Sequence, residues 1–584
     1  MPASASPDVT TFHRNPQRTG WDDAEPSLTR KNVSSEAFRA IWESPAFDSV
    51  GGKPARLYAS PLYVDRMRVT AGEFARRTFS VVLAASSNGF VYAVNARKAG
   101  SVVPGAILWR TKLGKPCYPG FDGVNTGVLS TPVVDMHRRV LYVTTCEDQY
   151  AWKAYALDIG NGRPLPNWPV HINADVLSRA GVAQNVDQAA SPQSDRPSFG
   201  SQRGALNLSP DGRHLYVTFG ESVTGWIVAV DTVKPAVAAA FASVASPHNY
   251  AGGIWGAGGP AISQGGGRVF VATGTSFGGL KIQPHDWVQS VLELSDSKGN
   301  GFVLRGTYTP FNYCATAAVD IDLGSGGISI IPDLDPAVTT TPHLLAVGGK
   351  QGNVYLVNRA HLPGRLDQRP ACSTDSSRDA SLLSPKAQPQ FSRPGPLNVF
   401  GPYTDKTAAV DQARSRSVPA YFRASDGTSY LFVTGHTKSG ADSSTNVPPC
   451  LARLKIVTHP GRPAYLEVDQ LERTLIFENP GSPVVTSSGS KGAMVWVLDE
   501  NARRSASLDS ADSPRPVLYA LDAMTLKLLW RSPPNELDAS GKYNEPVIAR
   551  GMVFVGTDRI QAFGLHQALH VTVQNLRGRL SWTR

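Results

Sequence analysis

Short hydrophobic segments alternate with polar turns along this chain, and the same order of elements recurs. VVLAASSNGFVYAVNARKAGSVVPGAILW, from Val81 to Trp109, contains a strand, a Gly/Asn turn, a strand ending in Ala-Val-Asn, and a tryptophan. A second copy, VLYVTTCEDQYAWKAYALDIGNG, runs from Val140 to Gly162. Weaker copies end at Asp231 or begin at Arg268, Leu344, Tyr430, Val517 and Met552. Runs rich in Val, Leu, Tyr and Phe between such turns predict β-strands, and no segment has sustained helical periodicity.

These repeats predict the architecture. A unit that cannot bury its own apolar face needs copies beside it, and radial repetition leaves only short, protected sheet edges. A flat sandwich would have fewer strands and no such period. We therefore predict an all-β fold, an eight-bladed β-propeller, as a single domain over residues 1–584. Residues 176–204 and 362–406 lack the blade pattern and are predicted loop insertions, with either a binding role or none. Residues 566–584 are predicted to form a closing strand or tail.

Composition and charge narrow the class of protein. The 584 residues are 41% hydrophobic and include 54 Gly and 44 Pro, which suits a loop-rich β protein. The formal charge of +10 is spread along the chain, which favours a basic soluble surface over nucleic-acid binding. No apolar run approaches the ~20 residues that span a bilayer. The N-terminus lacks the regions of a signal peptide, so either the protein stays inside the cell or a signal was removed.

Five cysteines are widely spaced along the chain and form no CxxC or CxxCH motif. Their spacing matches no cysteine-ligated metal centre and predicts that a c-type haem is absent. An odd number leaves at least one thiol unpaired or pairing between chains.

The repeats resemble those of the pyrroloquinoline-quinone (PQQ) propellers, which include quinoprotein alcohol dehydrogenases and bacterial PQQ-repeat proteins of unassigned role. VYAVNARKAG…ILW looks like the family's tryptophan-docking repeat, in which a Trp of each blade packs onto its neighbour. TFHRNPQRTGWDDAEPSLTRKNV, GGIWGAGGPAIS…VFVATGTSFGG and TPFNYCATAAVDIDLGSGG resemble the proteins of unassigned role more closely. The resemblance covers nearly the whole chain. It implies a periplasmic or secreted protein that binds PQQ with calcium.

The resemblance also implies cofactor-binding residues. In the family, the quinone lies on a tryptophan that follows Gly-Gly. Gly253 and Trp255 fit that pattern. A blade-docking role suits Trp255 equally well. The family's quinone oxygens contact a basic residue in a turn before a Tyr-Val-Leu strand, where GGKQGNVYLVNR places Lys350. An ammonium there would stabilise charge on the reduced quinone, although Lys is also an ordinary residue in a turn.

The metal ligands match less well. Thr275 stands where the family has an asparagine that holds calcium, and offers only a hydroxyl. Glu147 lies eleven residues before Asp158, the family's spacing for a second ligand, although a surface or turn role is the alternative. Asp320 and Asp322 supply carboxylates of the kind calcium prefers, and they also suit turn capping.

The resemblance also implies a catalytic base. In the family this base is an Asp shortly before a strand that begins with Ser and hydrophobic residues. Asp286 in HDWVQSVLEL is the nearest match, with His285 as an alternative base, and either residue equally suits the start of a strand. The family's adjacent cysteine pair is missing. The nearest candidate, Cys117, lies only 30 residues before Glu147, so at least one of those two correspondences is wrong.

Two functions remain open. In the first, the protein is a PQQ-dependent oxidoreductase acting on an alcohol-type small molecule. In the second, it is a non-catalytic propeller whose loops bind a protein or glycan partner. The convergence of Trp255, Glu147, Lys350 and Asp286 on the propeller axis would favour the first, because fold alone does not decide function.

Overall fold

The computed structural model describes residues 8–566 except 119–121, 149–150, 174–175, 177–200, 221–223, 245–250, 266, 277–282, 298–300, 374–384, 389–392, 397–414, 437–449 and 503–505. In this part of the chain nearly all regular structure is β. The strands are β1 (Trp21–Asp22), β2 (Phe38–Glu43), β3 (Leu62–Arg68), β4 (Thr78–Ala85), β5 (Phe90–Asn95), β6 (Ile107–Lys112), β7 (Val133–Asp135), β8 (Val140–Glu147), β9 (Ala151–Asp158), β10 (Val170–Ile172), β11 (Asn207–Leu208), β12 (His214–Phe219), β13 (Trp226–Asp231), β14 (Ala236–Ala242), β15 (Ala261–Ile262), β16 (Arg268–Ala272), β17 (Val291–Ser297), β18 (Gly301–Tyr308), β19 (Gly327–Ile330), β20 (Leu344–Gly348), β21 (Val354–Asn358), β22 (Pro385–Gln388), β23 (Arg393–Pro396), β24 (Ala420–Arg423), β25 (Ser429–Thr434), β26 (Leu451–Val457), β27 (Tyr465–Glu472), β28 (Val484–Ser488), β29 (Lys491–Asp499), β30 (Val517–Asp522), β31 (Leu528–Arg531), β32 (Val547–Ala549), β33 (Met552–Gly556) and β34 (Ile560–Leu565). The described helices are α1 (Arg30–Val33), α2 (Tyr313–Ala317) and a 3-10 turn, Leu323–Ser325.

These strands form the eight blades of a propeller, so the predicted fold is confirmed. Blades 1 to 8 are β3–β6, β7–β10, β11–β14, β15–β18, β19–β21, β24–β27, β28–β31 with β1, and β32–β34 with β2. Within a blade, consecutive strands pair antiparallel, and the first strand lies innermost. The hairpin β22–β23 forms a separate sheet within the predicted insertion 362–406.

The circle is closed by a strand from the N-terminal region. β2 pairs antiparallel with β34, from Phe38 opposite Leu565 to Glu43 opposite Gln561, and so completes blade 8. Residues 567–584, in the predicted closing segment, lie outside the described residues. Sheet hydrogen bonds therefore join a strand near the start of the described residues to their last strand.

Tryptophans on outer strands pack between blades. Trp109 of β6 donates its Nε1 proton to the carbonyl of Ile159, 3.0 Å away in blade 2. Trp530 of β31 contacts Phe38 and Phe563 of blade 8, with ring centroids 4.9 and 5.3 Å away. Both indoles pack apolar surface at a blade boundary, and Trp109 also satisfies its N–H there, which explains the recurring Trp at the end of the repeat.

Residues 9–20, here called the axial segment, touch all eight blades. Its residues bond in turn to Tyr63, Val134, Leu206, Ile262, Ile330, Tyr421 and Val485 in blades 1 to 7, and to Glu545 before β32. Because only the axis is within reach of every inner strand, twelve consecutive residues can make these contacts only by crossing the central channel.

The axial segment has positive φ angles at three non-glycine residues, His13, Arg14 (74°) and Arg18. His13 and Arg18 have positive φ angles of 56° and 62°, conformations that cost energy and persist only where surrounding contacts hold them. Gly20 is needed beside them, because its φ is +63° and a Cβ there would lie 2.3 Å from the His13 ring. His13 is held by Glu545, whose carboxylate lies 2.7 Å from Nδ1.

Four of the five cysteines form disulfides, Cys117–Cys146 and Cys314–Cys372. Cys450 is left as a buried thiol, so the prediction of at least one cysteine outside an intrachain pair is confirmed. Burial raises the pKa of the Cys450 thiol, which keeps it protonated and unreactive. Among the described helices, none has the length and apolarity needed to cross a membrane.

Candidate functional site

Large side chains from five blades meet at the propeller axis. Each stands four to six residues before the innermost strand of its blade, and we call the set the axial cluster: Tyr58, Arg203, Trp255, Arg416 and Tyr543. Trp255 enters blade 4 and Tyr543 enters blade 8, which is opposite in an eight-bladed ring. Their ring centroids are nevertheless 6.5 Å apart, which places both rings at the axis.

Lys350 and Asp322 of blade 5 join the cluster beside Trp255. Lys350 lies in the turn between β20 and β21 and is 3% exposed. Its Nζ is 5.2 Å from the centroid of the Trp255 ring, forms an ion pair with Asp322 Oδ2, and lies 3.1 Å from Asp320 Oδ1. The other oxygen of Asp322 accepts a 2.7 Å hydrogen bond from the backbone N–H of Thr275. A buried ammonium is thus fixed next to an aromatic surface.

The close approach of blades 4 and 5 requires a glycine. A Cβ on Gly274 would lie 2.4 Å from Asp322 Oδ1 and 3.2 Å from Trp255 Nε1. Gly253 supports the same contact, since its carbonyl accepts a 2.8 Å hydrogen bond from the Gly274 N–H. The Ala-Thr-Gly-Thr segment therefore fits against both the tryptophan and the aspartate because it has no side chain at this position.

The other side of the cluster carries further buried charge. Lys542 Nζ and Tyr58 Oη each lie 2.6 Å from a carboxylate oxygen of Asp122. Burial raises the pKa of Tyr58, so it remains a phenol that donates to Asp122. The guanidinium of Arg203 lies 5.6 Å from the Tyr58 ring centroid and 5.3 Å from that of Tyr543, which joins blades 1, 3 and 8.

A small cavity lined by both apolar and polar groups adjoins Asp322 between blades 4 and 5. Its volume is about 20 Å³, enough for about one water-sized group. Its walls include Gln289, Asn312, Gln351 and Asn353. Asn312 Oδ1, Gln351 Nε2 and Asn353 Oδ1 are buried and have no hydrogen-bond partner among the described residues. A buried unsatisfied amide costs about 1–3 kcal/mol, so the cavity suits a small hydroxyl-bearing ligand or water.

Glu147 lies at the end of β8, and its side-chain hydrogen bonds are made to residues other than those that contact Lys350. Its Oε2 is 2.7 Å from Lys153 Nζ, and its Oε1 accepts a 2.6 Å hydrogen bond from Tyr155. Both partners belong to the neighbouring strand of its own hairpin. The disulfide Cys117–Cys146 ends at the residue before it. The role of Glu147 as a metal ligand stays a prediction.

Asp286 and His285 belong to the loop before β17. Asp286 is fully buried, and its Oδ2 accepts a 2.8 Å hydrogen bond from the backbone N–H of Gln283. Its charge also acts on Arg369, whose pKa burial lowers. His285 is exposed. These contacts hold Asp286 in its own turn, whereas Asp322 is the carboxylate placed beside Trp255 and Lys350.

The described residues bring the predicted quinone contacts together without a metal centre. Trp255, Lys350 and Gly253 belong to one network, and Thr275 joins it through its backbone N–H. The described part of the chain holds no group of three or more His, Cys, Asp or Glu side chains suited to a metal ion.

Sequence reasoning missed Tyr58, Arg203, Arg416 and Tyr543. One signal could have found three of them. In Tyr58-Ala-Ser-Pro, Arg416-Ser-Val-Pro and Tyr543-Asn-Glu-Pro, a large side chain precedes by three residues the proline that leads into the innermost strand. Proline favours an extended conformation before it, so such segments place equivalent side chains at the axis in each blade.

Comparisons with known proteins support the fold. No protein-family model matches the chain, and no curated protein sequence matches it. A europium-containing methanol dehydrogenase is similar in structure, with 15% identity and a TM-score of 0.54, over 95% of this chain and 91% of the other. The periplasmic gluconolactonase PpgL of Pseudomonas aeruginosa matches over 83% of this chain and 98% of its own, with 12% identity and a TM-score of 0.36. The chain thus shares the overall fold of the methanol dehydrogenase.

Proposed function

We propose that this protein is a PQQ-dependent, dehydrogenase-like oxidoreductase that acts on an alcohol-type small molecule. The observation that carries the proposal is the position of Lys350, whose ammonium lies over Trp255 and is paired with Asp322 at the axis. The shared fold with a methanol dehydrogenase and the repeat resemblance support it. A propeller that only binds partners through its loops has no need for buried charge of this kind at its centre.

The axial cluster fits the chemistry of PQQ. This cofactor is a flat aromatic quinone with three carboxylates, so it needs an aromatic surface and positive charge. Trp255 offers the surface. Lys350, Arg203, Arg416 and Lys542 supply positive charge at the axis and are all at most 8% exposed. A planar anion in the funnel would contact both the aromatic surface and this charge.

Calcium fits less well. Both oxygens of Glu147 are engaged by Tyr155 and Lys153, and both oxygens of Asp322 by Thr275 and Lys350. A hard cation needs several oxygen ligands, and these residues do not provide such a set. We therefore derive no step through a metal ion.

The residues of blade 5 divide the remaining tasks. The chemistry that PQQ would supply when bound is a two-electron acceptor for the hydride of the alcohol carbon. Lys350 would stabilise negative charge that develops on a quinone oxygen. Asp322 contacts Lys350 and lines the small cavity, so its carboxylate would accept a hydrogen bond from a hydroxyl bound there. The amides of Gln351 and Asn353 would orient that hydroxyl.

We expect the protein to work outside the cytoplasm, as the resemblance implies. Two disulfides agree with an oxidising compartment. Cys314 of the second disulfide is exposed, where a reducing cytosol would reach it.

The test is a titration of the purified protein with PQQ, followed by quenching of tryptophan fluorescence. We expect saturable binding that weakens at least about ten-fold, about 1.4 kcal/mol, in Trp255→Leu. Trp530→Leu, at a blade boundary, is the matched control and should bind like the wild type. No quenching at PQQ far above micromolar, or equal binding by Trp255→Leu, would refute the proposal. Titrations with calcium and with a chelator show whether binding needs a metal ion.

A further inference from the structure

We propose that the propeller binds the surface of an anionic phospholipid bilayer through the end that lies opposite the axial cluster. The surface is formed by turns of blades 1 and 2, and we call it the basic face. It carries six exposed cations: Arg66, Arg68, Arg76, Lys98, Arg139 and Arg163. This inference goes beyond the proposed function and does not depend on it.

The strand order places these turns at one end of the molecule. The axial cluster stands just before the innermost strands, so it marks the end at which the first strand of a blade begins. Consecutive strands are antiparallel, so the first-to-second and third-to-fourth turns lie at the other end. In blades 1 and 2 these turns are residues 69–77, 96–106, 136–139 and 159–169. A partner bound there leaves the end with the axial cluster uncovered.

Hydrogen bonds join the four turns into one surface. Arg77 Nη2 donates a 2.7 Å bond to a carbonyl in the other turn of blade 1. Arg139 Nη2 donates a 3.1 Å bond to the carbonyl of Arg68, which joins blade 2 to blade 1. The backbone N–H of Thr70 donates a 2.9 Å bond to the carbonyl of Gly160 in the second turn of blade 2. The six cations therefore belong to one continuous surface.

The basic face concentrates the positive charge of the chain. Nine Lys and Arg but only four Asp and Glu lie in residues 65–77, 95–106, 135–140 and 158–169, a net charge of +5 out of the +10 of the whole chain. Five of the six cations form no ion pair with a described residue, and Arg66 lies 4.0 Å from a carboxylate oxygen. The charge is spread along the sequence, and the fold brings half of it to one face.

The chemistry of this face fits phospholipid headgroups. Five of its six cations are arginines, whose planar, paired N–H donors match the oxygens of a phosphate. Exposed apolar side chains lie among them. Met136, in the turn that carries Arg139, is 36% exposed, and Val103, in the turn that carries Lys98, is 62% exposed. Binding at a membrane interface combines apolar contact with attraction to anionic lipids, and the basic face offers both.

The experiment is co-sedimentation of the full chain with phospholipid vesicles. One set contains phosphatidylglycerol and phosphatidylcholine in equal amounts, and the other contains phosphatidylcholine alone. We expect the wild-type protein to bind the anionic vesicles at least about ten-fold more tightly. This binding should weaken at least about ten-fold between about 0.05 and about 0.5 M salt, because salt screens exposed charges.

Two triple variants with the same change in net charge locate the site. The first replaces three cations of the basic face: Arg76→Gln, Lys98→Gln and Arg163→Gln. The matched control replaces three exposed cations at the same end of blades 6 and 7: Arg423→Gln, Arg462→Gln and Lys491→Gln. We expect the first variant to bind anionic vesicles at least about ten-fold more weakly than the wild type, and the control to stay within about two-fold.

The outcomes separate the lipid surface from its alternatives. If the wild-type protein binds both kinds of vesicle equally, or binds neither, the lipid proposal is wrong and an acidic protein becomes the partner to test. If both triple variants weaken binding equally, the overall charge and not the basic face is responsible, and the proposal is also wrong. The comparison of vesicles in the wild type needs no variant, so it can overturn the proposal even if a variant does not fold.

Discussion

Arg18 of the axial segment is predicted to be among the residues most important for stability. It is fully buried, and its Nη1 donates to Thr11 Oγ1 at 2.6 Å and to the carbonyl of Phe12 at 2.8 Å. Its Nη2 donates to the carbonyls of Leu206 and Ala205 at 2.9 and 3.3 Å. Burial lowers the pKa of Arg18 to about 9, so the guanidinium is still charged at pH 7. It connects the axial segment to blade 3.

The replacement Arg18→Met keeps the length of the side chain and removes every donor. Three buried carbonyls lose a hydrogen-bond partner, at about 1–3 kcal/mol each. Removing a buried charge offsets part of that loss, because its desolvation costs several kcal/mol. We expect a net loss of about 2–4 kcal/mol in the free energy of unfolding. Breaking buried polar networks commonly has effects of this size.

The assay is equilibrium unfolding in urea, followed by circular dichroism and by tryptophan fluorescence. Arg66→Met is the matched control, because the same substitution at an exposed site should stay within about 0.5 kcal/mol of wild type. A loss of 2 kcal/mol or more in Arg18→Met alone supports the account of the axial segment. If the two variants unfold alike, the axial segment does not contribute to holding the blades together.

Three further predictions concern single positions. Gly274→Ala should destabilise the protein by about 1–3 kcal/mol through overpacking and weaken PQQ binding. Gly348→Ala is the control, because a Cβ there meets nothing closer than 3.6 Å. It should be near neutral in the same unfolding and binding assays. His214 hydrogen-bonds an aspartate of blade 4, and this contact raises the pKa of His214. The stabilisation from the contact is therefore complete below about pH 6.5 and is lost as the pH rises through the raised pKa. We expect His214→Gln to cost more stability at about pH 5.5 than at about pH 9. Lys350→Met should lower the free energy of unfolding by about 3–5 kcal/mol, because it leaves the buried Asp322 carboxylate without its cation. Adding Asp322→Asn in a double-mutant cycle should restore part of that loss. Purely additive losses would contradict the ion pair.

The blades with a strong repeat were predictable from local pattern alone. The segment Val81–Trp109 contains β5 and overlaps β4 and β6, and Val140–Gly162 contains β8 and β9. The innermost strands were harder, because β11 and β15 are two residues long and leave almost no periodic signal. The closing strand Phe38–Glu43 could not be identified, since its partner is more than 500 residues away and no local pattern pairs them.

The site was predictable where one short motif carries the geometry. Gly-Gly-Ile-Trp precedes the first strand of blade 4, the Lys350 turn joins β20 to β21 of blade 5, and the two segments meet between these adjacent blades. Glu147 matched a spacing, but its own hairpin supplies partners for both carboxylate oxygens, and spacing cannot show that competition. Arg203 and Tyr543 were missed because they are 340 residues apart in the sequence and meet only when the ring closes.

The axial segment also determines the direction from which a ligand reaches the cluster. Arg203, Trp255 and Arg416 are each followed, two residues later, by a small or apolar residue. These three residues pack together around Phe12 of the axial segment and are Ala205, Ala257 and Val418. Glu545, two residues beyond Tyr543, holds His13. The axial cluster and the axial segment are therefore successive layers across the channel, and the segment blocks the channel beneath the cluster. We therefore expect a ligand to approach the cluster from the side away from the axial segment, where Lys350 lies beside Trp255.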